Sequence, residues 1–436
     1  MSHTDNNHNK HNPMRRILGN FGLLLRGRGI AAVMKFAATA LMARALGPAE
    51  FGMVVLIQTY ALLVRGLFNF QLFDSIVRYG VPLLDANNTL ALRRLTVISW
   101  RLDKISIILA TIFAVSIAPL AGPWMGMDPD HIVVLAAYSI IILTSTGNDT
   151  AFGILRLYDQ FDILGKQMTI GPIILFFGVV LAWWFDSDFI IFVVILALSS
   201  IAENLYLNWY GWRQYRQRIG HLTNEQTTNN VSMAEFVGLR HFLWISYWQS
   251  NIDLMYKNMS IMMVGYFLGA SEAGLLRLAR QFSSLLGKPA ALIRQVTFLD
   301  LTRSWHQSTS DFKLIAYRTA LLAGGVGMLF VLLSYFFGEL LLMTFVGEAY
   351  ITAAPVLTLL LIATAFDLAA SSLRAATYAA GYAGKVLIIN IFATIVYIAL
   401  FVQFINQFGV IGAGIAAAVA ASISTIALLV LLQRRL

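Results

Sequence analysis

Leu46-Gly47-Pro48-Ala49-Glu50-Phe51-Gly52 returns as Leu268-Gly269-Ala270-Ser271-Glu272-Ala273-Gly274, an offset of 222 positions in a chain of 436 residues. In the same register Lys35 falls on Lys257, Leu56 on Leu278 and Leu63 on Leu285. Each copy lies between two long apolar stretches and carries a lysine inside the first of them. A helix-turn-helix unit repeated at half the chain length predicts two lobes built alike, the plan of a two-lobed membrane transporter.

The composition defines the solvent. Hydrophobic residues make up 58% of the chain and charged residues 12%. Apolar runs of about 20 residues recur from Ile17 to Leu432, enough to cross a hydrocarbon core of about 30 Å. The period-2 alternation of a barrel is absent, so the spans read as helices. Residues 1–16 are polar, rich in Asn and His, and predict a disordered tail. The stretch that follows, with Arg26 and Arg28, is too long and too basic for a cleaved signal peptide and reads as the first span. With no cysteine, disulfides and thiolate metal sites are excluded. No glycine-rich phosphate loop, metal-ligand cluster or nucleophile triad appears, and no cofactor, metal site or enzyme chemistry is expected.

Twelve spans are predicted, at 18–45, 51–73, 102–122, 131–155, 164–185, 188–211, 241–267, 273–298, 314–337, 352–376, 385–405 and 409–432. Alternate connections carry the lysines and arginines, among them Arg78, Arg93, Arg94, Arg101 and Lys104, then Arg156 and Lys166, then Arg213, Arg216 and Arg218. The intervening connections carry none and are short and acidic. By the positive-inside rule both termini are cytoplasmic. The formal charge of +9 is then a topology signal and no argument for nucleic acid. Six spans per half is an even number, so the two repeats enter from the same side and are parallel. The expected fold is an all-α polytopic membrane protein, with twelve transmembrane helices in two parallel six-helix lobes around a central cationic cavity. Its parts are the tail 1–16, an N-lobe at 17–212, a polar cytoplasmic linker at 213–239 and a C-lobe at 240–436.

An ionisable side chain deep in a span costs about 2.5–3.5 kcal/mol on insertion scales and therefore faces a cavity or a partner. Lys35 lies ten residues from the outer end of its span, about 15 Å at 1.5 Å per residue. Its neighbours Ala31, Ala32, Ala38 and Thr39 offer no anion, and Arg28 adds a second cation on the same face. Either a carboxylate on another helix neutralises Lys35 or a substrate does. Lys257 has Asp253 four residues before it, a pair that is structural or linked to ion coupling. Arg65, Arg277 and Arg280 are further candidates to line the cavity. Glu203 and Asp367 are the deeper acids, placed either to neutralise these cations or to carry protons. A cavity lined by Lys35, Arg65, Arg280, Arg28, Arg277 and Lys257 suits an anionic cargo, and arginine forks favour phosphate or diphosphate over a carboxylate.

The run Ala43-Arg44-Ala45-Leu46-Gly47-Pro48-Ala49-Glu50-Phe51-Gly52, followed by Phe70-Gln71-Leu72-Phe73-Asp74-Ser75-Ile76-Val77-Arg78-Tyr79, resembles the N-terminal signature of the bacterial polysaccharide biosynthesis proteins. These are the O-antigen and exopolysaccharide repeat-unit flippases of the multidrug/oligosaccharidyl-lipid/polysaccharide exporter superfamily. The resemblance implies transport of an undecaprenyl-diphosphate-linked oligosaccharide across the bacterial cytoplasmic membrane by alternating access, with H+ or Na+ as coupling ion. It further implies work alongside glycosyltransferases and a polysaccharide polymerase, with membrane lipids as the other partners. By position, Lys35 and Arg65 stand where such proteins place cavity cations. Twelve spans rather than the fourteen of the lipid II flippases argue against a peptidoglycan precursor as cargo. Two alternatives compete with this reading. A multidrug or cation antiporter of the same superfamily would need acids to dominate the cavity, and an O-antigen polymerase or ligase would need a large outer loop bearing arginine or histidine.

Overall fold

The computed structural model describes residues 13–220, 233–285 and 309–435, and among these residues every regular element is helical. In chain order they are α1 (Pro13–Leu67), α2 (Leu72–Asp85), α3 (Thr89–Trp124), α4 (Pro129–Ser139), α5 (Asn148–Leu157), α6 (Phe161–Trp184) and α7 (Phe189–Arg218). They continue as α8 (Leu239–Leu268), α9 (270–285), α10 (Thr309–Phe345), α11 (Ala354–Ala379), α12 (Ala383–Phe408) and α13 (Val410–Arg435). Nine of the described helical segments are long and apolar enough to cross a membrane, and Asn258–Leu268 is a shorter apolar one. Helix is present at each of the twelve expected spans, the eighth over 270–285 with its remainder outside the described residues. The chain is an all-α polytopic membrane protein.

The repeat is visible in the backbone. Helix α1 breaks at Gly47, with φ 70° and ψ 175°, so it comprises the first two spans and the turn between them. The register partner of Gly47 is Gly269, between α8 and α9, with φ 91°. Both positions need the left-handed region that only glycine enters at low cost.

Several boundaries depart from the sequence reading. Helix begins at Pro13, so the last four residues of the expected tail are ordered into α1, while residues 1–12 lie outside the description. The second span stops at Leu67 rather than at 73, and a separate helix, α2, follows the break. Helix α3 begins at Thr89 rather than 102, which puts Arg93, Arg94 and Arg101 on a helix instead of in a connection. Hydropathy sees only the lipid-facing part of a helix, whereas α2 and the start of α3 are amphipathic. Leu72, Ile76 and Gly80 of α2 repeat every four residues and are buried. Of the linker 213–239, the part up to Arg218 continues α7, and residues 221–232 are not described. Its end is anchored, since Arg94 Nη1 pairs with Glu235 at 3.3 Å and Tyr79 Oη donates to the Val237 carbonyl at 3.3 Å.

Packing divides the chain into two compact units, the first Met1–Met42 with Ile57–Met259 and the second Ala43–Leu56 with Ser260–Leu436. In the first, Leu72, Leu95 and Ile98 bury Phe236, Leu239 and Leu243, which accounts for the start of α8 belonging there. In the second, Phe312, Ala316 and Ala320 of α10 pack with Ala370, Leu373 and Ala376 of α11 and with Leu428 and Leu432 of α13. The residues of the turn at Gly47 join that unit through Tyr350, whose hydroxyl donates to the Ala43 carbonyl at 2.9 Å and whose ring meets Phe51 edge-on.

Candidate functional site

Two spans of the first unit are interrupted, and their interruptions meet. Between α1 and α2, residues 68–71 leave the helix, and Gln71 takes a left-handed conformation with φ 52°. In the fourth span α4 passes into a 3-10 turn, Ile140–Ser145, and restarts at Asn148 after Gly147, whose φ is 86°. A restarted helix exposes backbone N–H groups that must find acceptors inside the protein. Asp149 supplies one set, accepting from Leu72 N at 3.1 Å and from Asn69 Nδ2 at 3.5 Å, so an acid of α5 caps α2. Asp103 of α3 supplies the other, accepting from Thr150 N at 3.4 Å at the start of α5. The loop at the first break is tied further, with Gln71 N donating to Asn69 Oδ1 at 2.7 Å and Gln71 Nε2 to Ser250 Oγ at 2.6 Å.

An asparagine ladder holds the second break to α7. Asn148 Nδ2 donates to Asn204 Oδ1 at 2.7 Å, Asn204 Nδ2 to Thr144 Oγ1 at 2.9 Å, and Asn208 Nδ2 to Asn148 Oδ1 at 2.8 Å. Asn204 and Asn208 lie one helical turn apart and therefore on one face. A fully connected polar network in an apolar surrounding specifies one geometry, because each bond lost leaves a buried group unpaired.

The charges of this unit gather beside the breaks. Arg65, in the last turn of α1, acts on both Asp103 and Asp149 and lines a small cleft with them. Glu203 of α7 feels the positive charges of Lys35 and Arg65 and accepts from Gln167 Nε2 at 2.8 Å. Its carboxylate lies over α6 at Gly171, where a Cβ would sit 2.7 Å from Oε2. Of the two fates open to Lys35, neutralisation by a carboxylate therefore has a named carboxylate, Glu203. Lys35 itself is exposed along α1.

The second unit holds the other predicted cations. Arg277 and Arg280 of α9 are near enough to act on each other, and Arg280 Nη2 donates to Tyr397 Oη at 3.1 Å. Asp367 of α11 pairs with Arg374, Nη2 to Oδ1, at 2.9 Å. The side chains of Arg28, Asp253 and Lys257 lie outside the described residues. Asp103 and Asp149 were not singled out from sequence. A signal for them existed, since Thr144-Ser145-Thr146-Gly147-Asn148-Asp149-Thr150 is a glycine stop followed by helix-capping residues inside an apolar span.

The family described as polysaccharide biosynthesis protein matches residues 17–298. The inner membrane protein YghQ of Escherichia coli strain K12 is 29% identical over 340 residues, 78% of this chain and 95% of that protein. A structure of the lipid II flippase MurJ in an inward closed conformation superposes with a TM-score of 0.73 at 14% identity, covering 94% of this chain and 87% of the other. An inward-facing multidrug resistance MATE family transporter of the MOP superfamily gives 0.69 at 15% identity, covering 93% and 94%. At such identities the two structures speak to the fold alone.

Proposed function

The chain belongs to the polysaccharide biosynthesis protein family, and from that premise we propose that it flips an undecaprenyl-diphosphate-linked oligosaccharide repeat unit across the bacterial inner membrane. The observation that supports this most is the like-charged pair Arg277 and Arg280 within an apolar part of the chain. Two guanidinium groups that repel each other in a poorly solvated place are stabilised by an anion bridging them, and a diphosphate matches their forks. In this reading Lys35 and Arg65 meet the same headgroup during the cycle, and the two six-helix lobes give access to each side in turn. Both termini face the cytoplasm, H+ or Na+ supplies the driving gradient, and glycosyltransferases and a polymerase act before and after the transport step. No bond-making chemistry and no cofactor are assigned to the chain.

The test is complementation of a strain that lacks the gene. Arg277→Ala with Arg280→Ala should abolish surface polysaccharide while the protein accumulates normally in the membrane, and lipid-linked repeat units should build up on the cytoplasmic leaflet. Arg→Lys at both positions should restore part of the export. Full export by the alanine variant would sink the proposal.

A cation antiporter is the second reading. In its favour stand the three carboxylates Asp103, Asp149 and Glu203 around Arg65. All three accept hydrogen bonds from within the unit, which suits them to building the breaks. Drug or cation efflux that depends on these acids, with polysaccharide unchanged, would favour the antiporter.

A further inference from the structure

The first unit contains a cavity of about 700 Å³ between α3, the broken fourth span and α7. Arg93 and Arg101 line it, together with the aromatic rings of Trp100, Trp212 and Tyr215, and among the described lining residues there is no carboxylate. Arg101, Trp100 and Trp212 are exposed, so the cavity opens on the surface of the unit. Its depth is set by α3. Arg101 lies 23 residues from Trp124 at the far end of that helix, about 34 Å at 1.5 Å per residue and thus one hydrocarbon thickness away. The mouth therefore lies at the level of lipid headgroups, where tryptophan and tyrosine concentrate. Inside, Thr150 Oγ1 is buried and has no hydrogen-bond partner, although Thr150 lines the cavity.

We propose that this cavity holds one anionic phospholipid, its phosphate between Arg101 and Arg93, its glycerol oxygens within reach of Thr150, and its chains along the apolar walls. The charge is complementary, the volume falls within the roughly 300–1,000 Å³ of ligand pockets, and the site is distinct from the cationic pair of the second unit proposed for cargo. Gly147, the residue at which the fourth span breaks, forms part of the wall. A lipid seated there braces the break from outside.

The experiment is native mass spectrometry of the full-length protein, released from detergent in graded phosphatidylglycerol or phosphatidylcholine, with circular dichroism and chromatography as checks on folding. The wild type should retain one phosphatidylglycerol at least fivefold more strongly than phosphatidylcholine. Arg101→Gln should lose that preference, Arg101→Lys should keep part of it, and Arg94→Gln, which removes a neighbouring charge outside the cavity, should keep all of it. Arg101 is exposed, so its variants read the site even if Arg93→Gln fails to fold. Equal retention of the two lipids, or undiminished retention by Arg101→Gln, would overturn the proposal. Millimolar inorganic phosphate should not displace the lipid. If phosphate does displace it, the cavity is a site for the free anion. If undecaprenyl phosphate outcompetes phosphatidylglycerol at equal concentration, the cavity belongs to the cargo path and the proposal is likewise lost.

Discussion

A Cβ built on Gly274 falls 3.1 Å from the Cα of Gly52, its counterpart in the 222-residue repeat. The reciprocal approach is tighter, since a Cβ on Gly52 would lie 1.9 Å from the Ala270 carbonyl oxygen. The two copies of the motif thus touch through the positions where each has no side chain. Small residues let helix backbones approach in lipid, where dispersion and polar contacts replace the hydrophobic effect.

Gly52→Ala is therefore expected to destabilise, although alanine is the better helix former by about 0.5–1 kcal/mol. The carbonyl it would strike is backbone and cannot rotate away, so the cost is that of overpacking, about 1–3 kcal/mol. Gly29→Ala, with nothing within 4 Å of the added carbon, should be neutral or stabilising. Thermal melting of the two purified variants in one detergent checks this. A melting temperature for Gly52→Ala at or above wild type would refute the close approach.

The glycine turns and the twelve spans were legible because each depends on a local signal, a repeated heptapeptide or an apolar window about 20 residues long. The breaks were not. Phe68-Asn69-Phe70-Gln71 is half apolar, so a hydropathy window passes through it, and only the acceptor at Asp149, 77 residues from Leu72, shows that the helix restarts there. Glu203 is among the acids that the sequence offers to neutralise a cation. The field of Lys35 and Arg65 at Glu203 brings together three spans far apart in sequence, and no residue near Lys35 along the chain points to Glu203. In sequence Arg65 reads as a cavity cation, and its acidic neighbours on α3 and α5 arise from the fold.

Lys35 and Glu203 offer a direct test of structural against transport roles. If Glu203 neutralises Lys35 for stability, Lys35→Ala should lower membrane abundance, and adding Glu203→Gln should restore it. If Lys35 meets cargo, Lys35→Ala should leave abundance intact and abolish surface polysaccharide, with Lys35→Arg retaining part. We expect the second outcome, because Lys35 is exposed on α1 whereas Glu203 already accepts a hydrogen bond from Gln167. Abundance by immunoblot and polysaccharide on the same cells decide between them.

Asp367 is expected to be dispensable for coupling. Its partner Arg374 lies two helical turns away on the same face, and the Asp367 side chain is 58% exposed. Within α11 the pair neutralises Asp367 in place, which suits the acid to a structural role. Asp367→Asn should retain most of the export and most of the stability, measured by complementation and by melting. Loss of export at normal abundance would instead return Asp367 to the coupling path.

Topology can be read with reporter fusions, because the lysine and arginine asymmetry assigns a side to every connection. Fusions after residues 48, 127, 187, 271, 347 and 407 should report the periplasm, and fusions after 85, 225, 308 and 382 the cytoplasm. A periplasmic signal after 225 would overturn the arrangement of two parallel six-span halves.

Asp149 separates a structural acid from a proton carrier most sharply. It accepts from Leu72 N and Asn69 Nδ2 and stands in the field of Arg65. Asp149→Ala removes the acceptors and the counter-charge together. It leaves a buried N–H unpaired at about 1–3 kcal/mol and the half-buried Arg65 less compensated. Little protein should reach the membrane. Asp149→Asn keeps an oxygen for Leu72 N while losing the charge and the acceptor for Asn69 Nδ2, so its abundance should fall less than that of Asp149→Ala. The informative quantity is then export per molecule. If Asp149 only builds the break, Asp149→Asn protein that does accumulate should export at a rate within a fewfold of wild type, and the rate should keep its dependence on the ion gradient. If Asp149 releases and binds a proton in each cycle, the same variant should be abundant, folded and inert, with no gradient dependence left to measure. The two caps, the asparagine ladder and the left-handed Gln71 all hold Asp149 in one place, and a group so held is suited to fixing geometry. The first outcome is the one expected.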